Sequence, residues 1–222
     1  MADNNRTFFL FVVDRSGSMA SPPGFRADME GGINSFLQEQ QQVPGKCRVT
    51  LAQFDNEYEE VFNNVKLKEV PAVTIQPRGM TSLFDAVGKS VTNLRAHINS
   101  LSKGKRPGKV LVTIVTDGGE NSSKEWDSTK IKNLIKECTK EGWEFSYLGA
   151  NQDAFAEGSK LGVNANTTMS YTTATAGAVM NAHTHSTTDW RTGVTDNLSY
   201  SGSQRQAADP NAKIVTPSKS KR

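Results

Sequence analysis

Cysteine is scarce in this chain of 222 residues: there are two, Cys47 and Cys138, far apart and without CxxC spacing. That excludes a disulfide framework and a thiolate zinc site, and leaves two reduced core thiols. Long apolar runs are missing as well. The run at Phe8–Val13 has six residues, against about twenty for a membrane span. No basic segment precedes it in "MADNNRTFFLFVVD", so a signal peptide is not expected and the reading is cytoplasmic, with no membrane partner. Charge of one sign is also in short supply. A net charge of +3 is too slight to argue for nucleic acid. The basic end (Lys213, Lys219, Lys221, Arg222) carries no interleaved aromatics, so it reads as a solvated tail. The turn after the first apolar run holds neither GxGxxG nor GxxxxGK[ST], which removes the phosphate cradle a nucleotide needs. There is no GxSxG elbow, and there are no internal repeats.

What is present is an alternation of buried strands and amphipathic helices. Residues 8–13 form a continuous apolar run, as in a parallel strand covered on both faces. After "SPPG", Met29, Ile33, Phe36 and Leu37 recur at helical spacing. "VTLAQF" (49–54) and "YEEVF" (58–62) read as a hairpin turned by "DNE". A helix follows the loop at 77–82, with Leu83, Val87, Val91, Leu94 and Ile98 as its stripe. "KVLVTIVTDGGEN" (109–121) is the second deeply apolar strand. Ile131, Leu134, Ile135 and Cys138 mark another helix, "WEFSYLGAN" (143–151) a strand, and 152–161 a short helix. The order β-α-β-β-α-β-α-β-α predicts an α/β fold: a doubly wound, mostly parallel sheet with one antiparallel edge strand and helices on both faces. The main domain is expected over 5–165. Residues 166–190 are expected to be a C-terminal extension, mostly helical, on or beside it, adding a last short strand and one more helix at roughly 173–190. Residues 191–222, polar and poor in apolar side chains, are expected to be an arm or disordered tail.

In such a sheet, ligands bind beyond the carboxyl ends of the strands, near the reversal in strand order. The first strand ends in Asp14, Ser16 and Ser18 ("DRSGS"), the loop before the middle helix carries Thr81, and the fourth strand ends in Asp117. All are hard oxygen donors suited to Mg²⁺, which takes six oxygens at about 2.0–2.1 Å and keeps some waters. Three hydroxyls with one or two carboxylates leave the ion under-neutralised, with one position open to an outside oxygen donor, ideally a carboxylate. Taken singly, each motif also has a plain reading: Ser, Asp and Thr as helix caps, and Asp117-Gly118-Gly119 as a turn.

Together, "DRSGS" (14–18), "GMTSLFDA" (79–86) and "TDGGEN" (116–121) closely resemble the metal-ion-dependent adhesion site (MIDAS) of the von Willebrand factor A family. "GWEFSYLGANQDAF" (142–155) is further similar to small stand-alone members from bacteria and their phages. The resemblance implies that Ser16, Ser18 and Thr81 ligate directly, and that Asp14 and Asp117 ligate directly or through water. It implies a Rossmann-like sheet and a binding module rather than an enzyme. The expected cofactor is Mg²⁺, with Mn²⁺ or Ca²⁺ as substitutes. The expected partner is a protein presenting Asp or Glu, which includes another copy of the chain. The location is the cytoplasm, or the host cytoplasm or virion if the chain is phage-encoded.

Two alternatives remain beside it. One is a structural part of a larger assembly such as a virion. The other is a phosphate hydrolase using Asp14, disfavoured because Ser16 stands where a second acid is wanted. Around the site, Asp85 reads either as a support for a ligand or water or as a solvated helix residue. Glu120 reads as exposed, with a water near the metal as its other role, and Arg15 as an outward charge, either solvated or in contact with an acidic partner. His183 and His185 would share a face on a strand, but helix or loop is expected there, without a metal.

Overall fold

The computed structural model describes residues 3–150 and 153–211. Six strands form one sheet: β1 (Asp3–Asp14), β2 (Lys46–Phe54), β3 (Tyr58–Lys66), β4 (Pro107–Thr116), β5 (Trp143–Ala150) and β6 (Thr168–Tyr171). Their order is β3-β2-β1-β4-β5-β6. Only β2–β3 pair antiparallel, as the hairpin expected at 55–57. The other pairings are parallel, and the intervening helices supply the crossovers those require.

Side chains alternate along β1 and divide the core in two. Phe9, Phe11 and Val13 point to one face, which is covered by α1 (Phe25–Gln40), α5 (Ala176–Thr192) and α6 (Gly202–Ala208). Phe8, Leu10 and Val12 point to the other, covered by α2 (Leu83–Ser100), α3 (Ser128–Lys140) and α4 (Ala154–Leu161). This two-sided burial is why β1 and β4 read as unbroken apolar runs. The α1 and α5 backbones approach closely at Gly32, where a Cβ would stand 2.7 Å from Met180 Cγ. In the β1 pairings Asp14 lies opposite Phe54, and Val13 opposite Val115. The strand ends therefore come level at the β1/β4 reversal, and the loops that follow meet there.

The last short strand expected after 163 is present: Thr168–Tyr171 is the sixth strand of the sheet, paired with Tyr147–Ala150. One expectation changes at the C-terminal side: the chain from 191 is not an arm throughout. Residues up to Thr192 complete α5, and Leu198, Tyr200, Arg205 and Ala208 are buried. The Arg205 guanidinium donates to the carbonyls of Ala165 (2.8 Å), Asn166 (2.9 Å) and Thr168. Ser201 opens α6 with a capping box. A few widely spaced apolar residues plus one buried arginine hold this segment, and composition averages them away. The basic end, with Lys213, Lys219, Lys221 and Arg222, lies outside the described residues, as do Asn151 and Gln152 of "GWEFSYLGANQDAF".

Both cysteines are free and buried, and burial pushes the Cys47 thiol up to about 12. His183 and His185 sit on α5 and diverge as i and i+2 must on a helix. His185 is exposed. His183 is fully buried against the sheet, 3.0 Å from Thr113 Oγ1 and 2.7 Å from the Tyr200 hydroxyl, which lies 2.6 Å from Ser146 Oγ. No helix among the described residues is long and apolar enough to cross a membrane.

Candidate metal centre

The five expected donors converge. Asp14, the last residue of β1, is fully buried. One carboxylate oxygen accepts the Ser16 N–H (2.6 Å), which closes a tight turn, and the other accepts the Thr116 hydroxyl at the end of β4 (2.6 Å). Ser16 Oγ and Ser18 Oγ lie 3.0 Å apart, and the Ser18 hydroxyl donates to Asp117 Oδ1 at 2.7 Å. Thr81 enters from the second loop. A Cβ placed on Gly118 would stand 3.5 Å from Thr81 Oγ1 and 3.9 Å from Ser18 Oγ. The two hydroxyls therefore flank the same glycine.

Backbone contacts lock the three loops. Gly17 N–H donates to Gly79 C=O (3.2 Å), and Arg78 N–H to Arg15 C=O (2.8 Å). Gly79 itself is required: its φ is +70°, and a Cβ there would be 2.1 Å from Asn56 Oδ1. Loops two and three are joined reciprocally. Thr81 N–H donates to Asn121 Oδ1 (2.9 Å), and Asn121 N–H to Thr81 C=O (3.1 Å).

Three neighbouring charges are placed more firmly than the sequence suggested. Glu120 is half-buried, not exposed. Its carboxylate accepts the backbone N–H of Phe84 (2.8 Å), Ser122 (2.8 Å) and Ser123 (2.7 Å) and the Ser123 hydroxyl (2.6 Å). It thus takes up an otherwise unpaired donor of the first turn of α2. Asp85 does not face solvent freely; its carboxylate ties the chain after the third loop to the start of α2. It accepts the N–H groups of Lys124 (2.8 Å), Glu125 (2.9 Å) and Trp126 (2.8 Å). Burial works against its ionisation, but these donors hold its carboxyl below the usual range. Arg15 is buried at 6% exposure, because its guanidinium turns from the site to Asp55 (3.0 Å) and Glu59. Sequence reasoning also passed over Asn121, Asp55 and Tyr171. Each acts across 40 or more residues or from outside the motifs, so no local pattern marks it.

The donor set suits a hard divalent cation. Burial pushes the Asp14 carboxyl up to about 6, and Asp117 adds to this rise. Burial raises Asp117 as well. Two carboxylates thus stand together while Arg15, the cation within the loop, is engaged elsewhere, an arrangement a bound cation stabilises. Tyr171, at the end of β6, carries a buried hydroxyl with no hydrogen-bond partner among the described residues, within electrostatic reach of Asp117 and Asp14. A lone buried hydroxyl at this place fits a hydrated ion. Among the described residues no group of three or more His, Cys, Asp and Glu is placed to hold a metal. The hydroxyl-rich set is therefore the candidate.

A comparison with curated protein sequences gives no match. Solved structures do match. Proximal thread matrix protein 1 from the mussel byssus, in a form with a zinc-occupied MIDAS motif, aligns with TM-score 0.61 and 14% identity. The alignment covers 85% of this chain and 47% of that one; this chain thus spans about half the length of the mussel protein. The vWF domain of the type V pili tip protein Mfa5 from Porphyromonas gingivalis aligns with TM-score 0.60 and 10% identity, over 86% of this chain and 96% of that one. The manganese-loaded Plasmodium vivax TRAP protein aligns with TM-score 0.54 and 16% identity, over 79% and 72%. At such identities these likenesses speak to the fold. The sequence profile of the von Willebrand factor type A domain matches residues 10–191, from within β1 to the last turn of α5. With that match over most of its length, a 3-2-1-4-5-6 sheet and three loops meeting at its switch point, the chain belongs to the von Willebrand factor type A domain family.

Proposed function

We propose that this chain is a divalent-cation-dependent protein-binding module. In this reading Ser16, Ser18 and Thr81 hold Mg²⁺ directly, and Asp14 and Asp117 hold it directly or through water. When bound, the ion supplies a Lewis-acidic position open to a carboxylate oxygen from an Asp or Glu of the partner. The chain's own residues do the rest. Asp14, pinned by Thr116 and the Ser16 amide, fixes the first loop. Asn121 holds Thr81 in place, and Glu120 and Asp85 clamp the third loop onto the start of α2. The observation that carries the reading is the convergence of a buried carboxylate, a half-buried one and three hydroxyls at the strand ends.

A catalytic role gains no support. His97 and His185 lie on helix surfaces away from these loops, and His183 is sealed beneath the sheet. Position 16, where a second acid is wanted after Asp14, is a serine. The likeness of residues 142–155 to small bacterial and phage members favours a cytoplasmic or virion setting.

The test is Mg²⁺ and Mn²⁺ titration of the wild type and Asp14→Ala by calorimetry, followed by partner capture in Mg²⁺ and in EDTA. Saturable binding lost in Asp14→Ala, with capture that needs the metal, is expected. Titrations without heat in the wild type would reject the reading.

A further inference from the structure

Arg15 lies between two of the proposed ligands, Asp14 and Ser16, yet its side chain is buried away from them. Asp55, just past the end of β2 and 1% exposed, is the centre of what holds it. One carboxylate oxygen of Asp55 accepts both Arg15 Nε (3.0 Å) and Arg78 Nε (2.8 Å), and the other accepts the Glu57 N–H (2.6 Å). Its backbone carbonyl accepts the N–H of Ser82, the neighbour of Thr81, at 2.9 Å. Glu59 takes the far end of the Arg15 guanidinium, and Glu57 takes Arg78 Nη2 at 2.7 Å. A hairpin at the sheet edge thus grips the first metal loop through Arg15 and the second through Arg78 and Ser82. Burial opposes ionisation of Asp55, but Arg78, the Glu57 amide and Arg15 keep it a carboxylate.

We infer that Asp55 is a positioning residue of the metal centre, one that sequesters the Arg15 guanidinium so that a divalent cation meets no competing charge at Asp14 and Asp117. Buried partners that orient a metal site typically change its affinity when removed. Here the partner also withdraws a rival cation. Released from Asp55, Arg15 is attached one residue from Asp14 and is drawn to the two unneutralised carboxylates. Arg78 loses the same partner but sits in the second loop rather than beside Asp14, and it keeps Glu57.

The inference rests on the metal reading, and the experiment separates the two. Mn²⁺ affinity is measured by calorimetry for the wild type, Asp55→Asn, Asp55→Asn with Arg15→Gln, and Asp55→Asn with Arg78→Gln, with Asp14→Ala as the no-binding baseline. Melts in EDTA show which variants are folded. Asp55→Asn is expected to weaken Mn²⁺ about tenfold or more, in the range seen when a metal site loses an outer partner. Adding Arg15→Gln is expected to restore most of the loss, and adding Arg78→Gln, with the same net charge, to restore little.

Unchanged affinity in Asp55→Asn overturns the inference. So does equal rescue by both second substitutions, which would make the effect one of net charge alone. Failure of Arg15→Gln to rescue a folded Asp55→Asn variant also overturns it, because Asp55 would then be only a structural tie. If Asp55→Asn does not fold, Arg15→Gln alone decides: affinity at or above wild type supports sequestration, and a loss overturns it. A wild type that does not bind Mn²⁺ rejects the metal reading itself.

Discussion

His183 gives the fold a pH dependence that can be worked from its surroundings. The imidazole is fully buried, stacked on Phe36 with centroids 5.0 Å apart, and hydrogen-bonded at both nitrogens, to Thr113 and Tyr200. Burial pushes its pKa down to about 3, from an ordinary 6.5. The native state therefore stays unprotonated at this site while the unfolded chain takes up a proton below pH 6.5. The stability this group contributes is full above the unfolded value and is lost as the pH falls toward the folded one. Between pH 7.5 and 5 the loss is about 2 kcal/mol for one such group.

His183→Gln keeps one polar partner but does not titrate. It should be less stable at pH 7.5 by about 1–3 kcal/mol, for a lost buried hydrogen bond and ring contact. Its stability should fall less than that of the wild type between pH 7.5 and 5, by about the 2 kcal/mol above. Urea denaturation across this range measures both. Parallel pH profiles for the two proteins, or an NMR titration of the His183 ring near 6.5, would refute the reasoning.

Other outcomes follow from the same contacts. Asp14→Asn keeps the acceptor for the Ser16 amide, and the Thr116 hydroxyl can turn wholly to the Gly118 carbonyl at 2.9 Å. In EDTA at pH 7 the variant should be more stable than wild type, by at most about 3 kcal/mol for a carboxyl raised from 3.8 to about 6. Added Mg²⁺ should then raise the Tm of the wild type alone, so a Tm for Asp14→Asn below wild type in EDTA, or a matching Mg²⁺ shift, speaks against the site. Tyr171→Phe removes a buried hydroxyl without a partner among the described residues; thermal melts should show stability in EDTA held or raised and a smaller gain from Mg²⁺. Ending the chain after Gly193 strips Leu198 and Tyr200 from the core and should cost about 3–5 kcal/mol. Ending it after Asn211 keeps this segment, and equal melting of the two truncations would deny that 194–211 packs on the domain.

Much of the site was legible in the chain itself, for a physical reason. A strand buried on both faces has to be apolar throughout, so Asp14 and Asp117 at the ends of β1 and β4 stand out at once. The hydroxyls of Ser16, Ser18 and Thr81 lie within a few residues of such ends. Strand and helix periods then gave the element order and helices on both faces; which side chains of β1 and which helices share a core came from the structure. These signals are local, and local signals survive in one dimension.

What the chain alone did not determine depends on pairs remote from one another. Arg15 reads as solvated until Asp55, 40 residues on, is folded against it. His183 reads as an idle histidine, or as half of a metal pair, until Thr113 and Tyr200 close on its two nitrogens. The segment after Thr192 reads as a tail because its composition is polar. Only the tertiary structure brings Leu198, Tyr200 and Arg205 to a sheet edge that needs them. Composition and periodicity sum over neighbours in sequence, whereas the burial of a charge or a sparse apolar residue is set by neighbours in space.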